Sequence, residues 1–171
     1  MTNAELINLA RRGSKDAFCA LYGQYKDRLY RYAYYKLQSP EDAEDAVADC
    51  VLCAYAQITQ LKKPAAFDAW IFSILRSCCA SQIKRQIKLR STVPLEDAAS
   101  DASYDFSAQI EKTELAEALS KLTEEEQEIV LLSAVAGLKS KEIALITDYT
   151  AGAVRSKLSR SLAKLRKSLE G

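Results

Sequence analysis

Apolar side chains recur every three or four positions through most of this 171-residue chain, the period of α-helices with one buried face. No stretch alternates apolar and polar residues for long, and no Asn-Gly or Asp-Gly hairpin turn occurs. The pattern predicts an all-α protein. A short first helix covers about residues 3–12 and ends at Gly13. Ser14 caps a second that reaches about Gln38, with Phe18, Leu21, Tyr22, Tyr25, Leu29 and Tyr32 on its apolar side. Tyr30, Tyr34 and Tyr35 add to a heavy use of tyrosine, which reads as aromatic packing with hydroxyls at the surface.

Ser39 and Pro40 open a third helix, a capping residue followed by proline at the first helical position. Its buried stripe is Ala43, Ala46, Val47, Cys50, Val51, Ala54 and Ile58. After a loop at residues 59–63, Pro64 opens a fourth helix with Phe67, Trp70, Ile71, Ile74, Leu75 and Cys78 inside. That helix ends in the basic run Lys84, Arg85, Lys88 and Arg90. From residue 91 to residue 107 the composition changes to Ser, Ala, Pro94 and four acids with no Lys or Arg, which reads as a flexible acidic linker. Fully extended, such a segment spans up to ~60 Å. The expected division is a helical domain at 1–90, a linker at 91–107 and a second helical domain at 108–171.

The second domain starts with an amphipathic helix carrying Ile110, Leu115 and Leu119. Thr123 followed by Glu126 is a capping box, so a helix begins at Glu124 and runs through Ile129, Val130, Leu131 and Leu132, with Gly137 placed to end it in a left-handed conformation. Ser140 is positioned to cap a short helix carrying Ile143, Ala144 and Ile146 that stops around Asp148. Thr150 caps a last, longer one. Two helices joined by a short turn, the second longer and basic, form a helix-turn-helix pattern. In the last helix Val154, Leu158, Leu162, Leu165 and Leu169 fall within one ~80° arc at about 100° per residue. Lys157, Arg160, Lys164 and Lys167 lie opposite, with Arg155 and Arg166 on the flanks.

Charge sharpens this picture. Residues 149–171 hold six Lys/Arg and one acid, residues 111–148 four Lys and nine acids, and residues 1–90 fourteen basic and nine acidic side chains. The formal net charge of +1 is therefore a cancellation of blocks. A basic face on the second helix of a helix-turn-helix is the footprint expected for DNA. In the third helix Glu41, Asp42, Glu44 and Asp45 crowd the first turns, where the helix dipole favours negative charge. Asp42, Asp45 and Asp49 share one face, and dipole compensation does not explain Asp49, which lies beyond the first two turns.

Composition excludes several classes. Half the residues are apolar and 27% are charged, as in an ordinary globular protein. No apolar run approaches the length of a membrane span, so no membrane insertion and no signal peptide are expected. Five cysteines, an odd number, point to reduced thiols and a cytoplasmic location. The chain has no histidine, hence lacks the commonest general base and metal ligand. Neither enzyme activity, a cofactor nor a metal is expected.

Two stretches carry a resemblance. SPEDAEDAVADCVLCAYAQI followed by FDAWIFSILRSCCASQIKR resembles the second conserved region of the RNA polymerase sigma factors of the extracytoplasmic-function type. LSKLTEEEQEIVLLSAVAGLKSKEIALITDYTAGAVRSKLSRSLAKLRKSL resembles their fourth. The resemblance implies a factor that binds core RNA polymerase and directs promoter-specific initiation. It implies polymerase docking through the acidic third helix at Asp42, Asp45 and Asp49. It implies contacts to the melted edge of promoter DNA from Lys62, Lys63, Arg76, Ser77, Ser81, Lys84, Arg85 and Lys88. It implies major-groove reading and phosphate contacts from Thr150, Ala151, Arg155, Ser156, Lys157, Arg160 and Lys164. An anti-sigma factor is a further partner class that it leaves open. In the turn before the last helix, Asp148 stands where the family usually has glycine, a position that tolerates a left-handed backbone.

Two rivals differ in kind. A free-standing helix-turn-helix regulator, whose N-terminal domain binds a partner or ligand, would bind DNA specifically without polymerase. A thiol-based redox or zinc protein would use Cys50, Cys53, Cys78 and Cys79, yet Cys50 and Cys78 fall on apolar stripes, where a free cysteine behaves as a small hydrophobe.

Overall fold

The computed structural model describes residues 1–92 and 114–170, and every regular element among them is helical. Helix α1 (Asn3–Arg11) begins in a capping box between Thr2 and Glu5. Helix α2 (Lys15–Leu37) starts where Ser14 Oγ accepts the Ala17 N–H at 3.1 Å, and it ends at Gln38 in a left-handed conformation with φ 57°. Helix α3 (Pro40–Gln57) is capped by Ser39 through the Asp42 N–H. Helix α4 (Phe67–Thr92) runs two residues past the expected start of the linker. The rest of the expected linker, and Ile110, lie outside the described residues.

Helices α1 to α4 form a bundle with α2 and α4 packed on α3. The stripe expected in α3 is the buried one, with Ala43, Ala46, Cys50 and Ala54 fully enclosed and only Val51 partly exposed. Small residues there let α2 and α4 approach closely and fill the space with Leu21, Leu29, Tyr32, Phe72 and Leu75. Helix α4 differs from expectation by one position. Phe72 and Cys79 are enclosed while Trp70, Ile74 and Cys78 are half-buried. The reason is that α4 is covered on a second side, by a helix of the C-terminal half, so its buried arc is wider than one amphipathic stripe.

The C-terminal half consists of α5 (Glu114–Ser120), α6 (Glu124–Val130), a π-helical turn (Leu131–Val135), α7 (Ser140–Ile146) and α8 (Ala151–Glu170). Thr123 and Glu126 make the expected capping box. Gly137 has φ 76°, as its place after the helix required. Ser140 is the first helical residue of α7 rather than its cap; Glu142 instead accepts the Lys139 N–H at 2.9 Å. Helix α7 stops at Ile146, and Asp148 does not adopt positive φ. Thr150 caps α8 by accepting the Ala153 N–H at 3.1 Å.

Three apolar assignments move, among them Leu169, which is exposed near the end of α8. Leu115 is exposed, and α5 buries Ala118 and Leu119. On α8 Leu162 is exposed while Ser161 is fully buried; its hydroxyl donates to the Lys157 carbonyl at 2.7 Å. That back-bond satisfies the hydroxyl internally, so a small polar residue sits where α8 meets its neighbours.

Candidate nucleic-acid interface

Helix α8 is seated by Val154 and Leu165, which turns its basic side outward. Thr150, Arg155, Ser156, Arg160 and Lys164 are exposed, and Ala151 is half-buried at the N-terminal end. Lys157 is more constrained. Its ammonium lies 5.0 Å from the Tyr149 ring centroid and 3.6 Å from Glu125 Oε2. Lys164 Nζ is 2.8 Å from Glu126 Oε2. The hydrogen bond from Lys164, joined by the Thr123 backbone N–H, holds the Glu126 carboxyl at about 2.

A second basic surface lies on the N-terminal bundle. Lys62 and Lys63 are exposed on the loop after α3, which is anchored by the buried Ile58 and Leu61. Ser77 and Ser81, both exposed, line a groove of about 360 Å³ with Cys53, Gln57, Ser73, Ile74 and Cys78. Lys84, Arg85 and Lys88 continue along the exposed end of α4. The groove is largely apolar, with three serine hydroxyls and one amide, and it lies beside a run of cations, a combination of base-contacting surface and phosphate-attracting charge that suits single-stranded nucleic acid.

The acidic face of α3 is divided. Asp45 is exposed, Asp49 is half-exposed and 3.4 Å from Arg85 Nη2, and Asp42 accepts a hydrogen bond from the Gln86 side-chain amide. Leu52, three residues after Asp49 and 69% exposed, extends the same face, with Tyr55 beside it 40% exposed. A large exposed leucine next to two carboxylates has the mixed character of a protein-binding surface. Its signal in the sequence was an apolar residue off the buried stripe.

Residues 21–89 match the family described as Sigma-70 region 2, and residues 112–165 match Sigma-70, region 4. The chain is 30% identical over 169 residues to the ECF RNA polymerase sigma factor SigM of Mycobacterium tuberculosis (strain Erdman), covering 98% of this chain and 85% of that protein. The chain belongs to the extracytoplasmic-function family of RNA polymerase sigma factors. As a sigma factor it binds core polymerase and directs promoter-specific initiation. Members of this family are in general regulators rather than enzymes.

Solved structures agree on the fold. CnrH, in complex with the cytosolic domain of CnrY, is 22% identical and superposes with a TM-score of 0.73 over 98% of this chain and 97% of that one. The sigma factor RpoE from Bartonella quintana, in complex with the anti-sigma factor NepR, is 23% identical with a TM-score of 0.70 over 92% and 98%. No helix among the described residues is long and apolar enough to cross a membrane.

Arg76 stands apart from the other DNA candidates of this sigma factor. It lies next to Ser77 in sequence, but its side chain reaches into the C-terminal half. Nε is 2.8 Å from Glu128 Oε1, and Nη1 donates to the Ile146 carbonyl. Glu128 is 8% exposed and also accepts from Tyr32 Oη and Lys36 Nζ, each at 2.5 Å. Burial alone pushes the Glu128 carboxyl up. The Lys36 charge and hydrogen bond, the Tyr32 hydroxyl and Arg76 outweigh it and leave the carboxyl below its ordinary value. Sequence reasoning missed this cluster because Glu128 lies 52 to 96 residues from its partners. The one local hint is that Glu128 sits immediately before the apolar run of α6.

The cysteines lie mostly inside. Cys50 and Cys79 are buried, Cys53 and Cys78 half-buried, and Cys19 exposed. Burial, with smaller contributions from neighbouring thiols, pushes Cys79 up to about 12 and Cys78 up to about 11. At neutral pH both are uncharged thiols and poor nucleophiles. Among the described residues no group of three or more His, Cys, Asp or Glu side chains is arranged to hold a metal ion.

Proposed function

We propose that this sigma factor divides its task between residues 1–90 and residues 108–171, joined by the acidic stretch 91–107. The N-terminal unit docks on core polymerase through Asp42, Asp45, Asp49 and the neighbouring Leu52. The groove at Ser77 and Ser81, with Lys62, Lys63, Arg76, Lys84, Arg85 and Lys88, holds the melted edge of the promoter. The C-terminal unit places α8 in the major groove, with Thr150, Ala151, Arg155 and Ser156 toward base edges and Lys157, Arg160 and Lys164 toward phosphates. It works in the cytoplasm, without a cofactor or a reaction of its own.

The observation that carries this reading is the pairing, in one chain, of a capped basic helix in a helix-turn-helix with a second bundle bearing both a serine-lined groove and an acidic, partly apolar face. A free-standing regulator would use its N-terminal bundle to bind a partner or ligand, which calls for no groove flanked by cations. RpoE of Bartonella quintana was crystallised with an anti-sigma factor, and a protein of that class is a candidate to restrain this chain. Run-off transcription with purified core polymerase and a genomic promoter library tests the function. Discrete transcripts that require the chain are expected. Specific duplex binding without polymerase, and no transcripts with it, would favour the free-standing regulator.

A further inference from the structure

One cation of α8 is held by an aromatic side chain from the turn that precedes the helix. Tyr149 is half-buried and packed against the core. Its backbone is fixed locally: the Thr147 hydroxyl donates to the Ile143 carbonyl at 2.8 Å and accepts the Tyr149 N–H at 3.4 Å. The ring is therefore a fixed platform. Over it lies Lys157 of α8, its ammonium 5.0 Å from the ring centroid. Glu125, in the first turn of α6, completes the set. Its carboxylate accepts a hydrogen bond from the Tyr149 hydroxyl, and its Oε2 is 3.6 Å from Lys157 Nζ. The three side chains come from α6, from the turn and from α8, so the set forms only when the helix-turn-helix is assembled.

The two groups that hold Lys157 respond differently to DNA. A phosphate brought up to Lys157 repels the exposed Glu125 carboxylate, because like charges then share one cation. The ring carries no net charge, and its face still attracts an ammonium whose outer side is paired with a phosphate. A lysine stem gives up much rotamer freedom when it is fixed against DNA. A stem already resting on an aromatic face gives up less. We propose that Tyr149 is a positioning residue for DNA binding: its ring sets Lys157 in place to meet a phosphate of the upstream promoter element, and Glu125 is the counterion that the phosphate displaces. The proposal rests on the phosphate role given to Lys157 above.

The test is a double-mutant cycle between Tyr149→Leu and Lys157→Ala, made in the full chain and measured in the polymerase holoenzyme. Binding is followed across a salt series on duplexes with the upstream element of a promoter that the parent transcribes, matched or scrambled. Tyr149→Leu is expected to weaken binding to both duplexes alike, by about two- to fivefold. It should also lower the salt slope toward that of Lys157→Ala. In the Lys157→Ala background the same change should cost nothing further. Tyr149→Phe keeps the ring without the hydroxyl, and Glu125→Gln keeps the ring without the carboxylate. Both should bind at least as tightly as the parent. A general loosening of α8 would appear equally in both backgrounds, so the cycle decides even where Tyr149→Leu melts at a lower temperature. An undiminished loss from Tyr149→Leu in the Lys157→Ala background overturns the positioning role. So does Tyr149→Phe or Glu125→Gln binding as weakly as Tyr149→Leu. If Lys157→Ala leaves binding and salt slope unchanged, the phosphate role of Lys157 falls and the proposal with it. If Lys157→Ala weakens binding while Tyr149→Leu does not, the proposal alone falls.

Discussion

Lys164 on α8 and Glu126 on α6 meet at 2.8 Å, so one cation of the basic face is already held by a carboxylate of the same unit. Glu126 also accepts the Thr123 N–H at 3.1 Å, a bond that glutamine retains. Glu126→Gln is therefore expected to keep the helix cap, free Lys164, and tighten DNA binding by the polymerase holoenzyme at low salt. Lys164→Ala should weaken binding to all sequences alike and lower the salt slope by about one unit. A depressed carboxyl pKa means an interaction present above the ordinary range and lost only as pH falls toward about 2, so the competition persists at neutral pH. Salt-series competition binding checks both variants, and no change in either removes Lys164 from the DNA face.

Arg155 is exposed near the N-terminal end of α8, the end of such a helix that enters the groove. Arg155→Ala should cost ~1–3 kcal/mol on the preferred upstream element and relax sequence choice at one position. Holoenzyme binding to matched and scrambled elements measures this. Equal losses on both DNAs would assign Arg155 to phosphate.

Replacing Asp45 and Asp49 together with lysine should leave helical content nearly unchanged. Asp45 is exposed, and Asp49 makes only an exposed pair with Arg85, so each change is expected to alter stability by within ~0.5 kcal/mol. Binding to core polymerase should nevertheless fall sharply through charge reversal at the interface. Circular dichroism and a polymerase pull-down separate the two effects, and undiminished pull-down would place the docking surface elsewhere.

Gly137 combines φ 76° with the close approach of Arg28. Gly137→Ala is expected to lose about 1–2 kcal/mol from the left-handed backbone alone, seen as a lower urea midpoint at unchanged slope. A midpoint equal to the parent's would mean that the turn relaxes to negative φ.

The cysteines are expected to be structural. Protein purified without chelator should carry far less than one zinc per chain, and a thiol reagent should modify the exposed Cys19 well before Cys50 and Cys79. Stoichiometric zinc would overturn this.

Local chemistry made much of the molecule legible before any coordinates. Thr123 with Glu126, Ser39 with Pro40, Gly137 and Thr150 each act on backbone groups within a few residues, so they mark helix ends without help from the rest of the fold. The α3 stripe was equally plain, because that helix buries one face and 3.6-residue periodicity reports one face. Periodicity failed where a helix has two neighbours or touches its neighbour through a small residue. Cys79 and Phe72 are enclosed because α4 packs on both halves, and Ser161 replaces Leu162 because its hydroxyl finds a carbonyl one turn back. Glu128 shows the limit most clearly. A glutamate in an acidic turn reads as a solvated charge, and only the folded chain brings Tyr32, Lys36 and Arg76 to it, since burial of a carboxylate depends on donors that sequence spacing does not reveal.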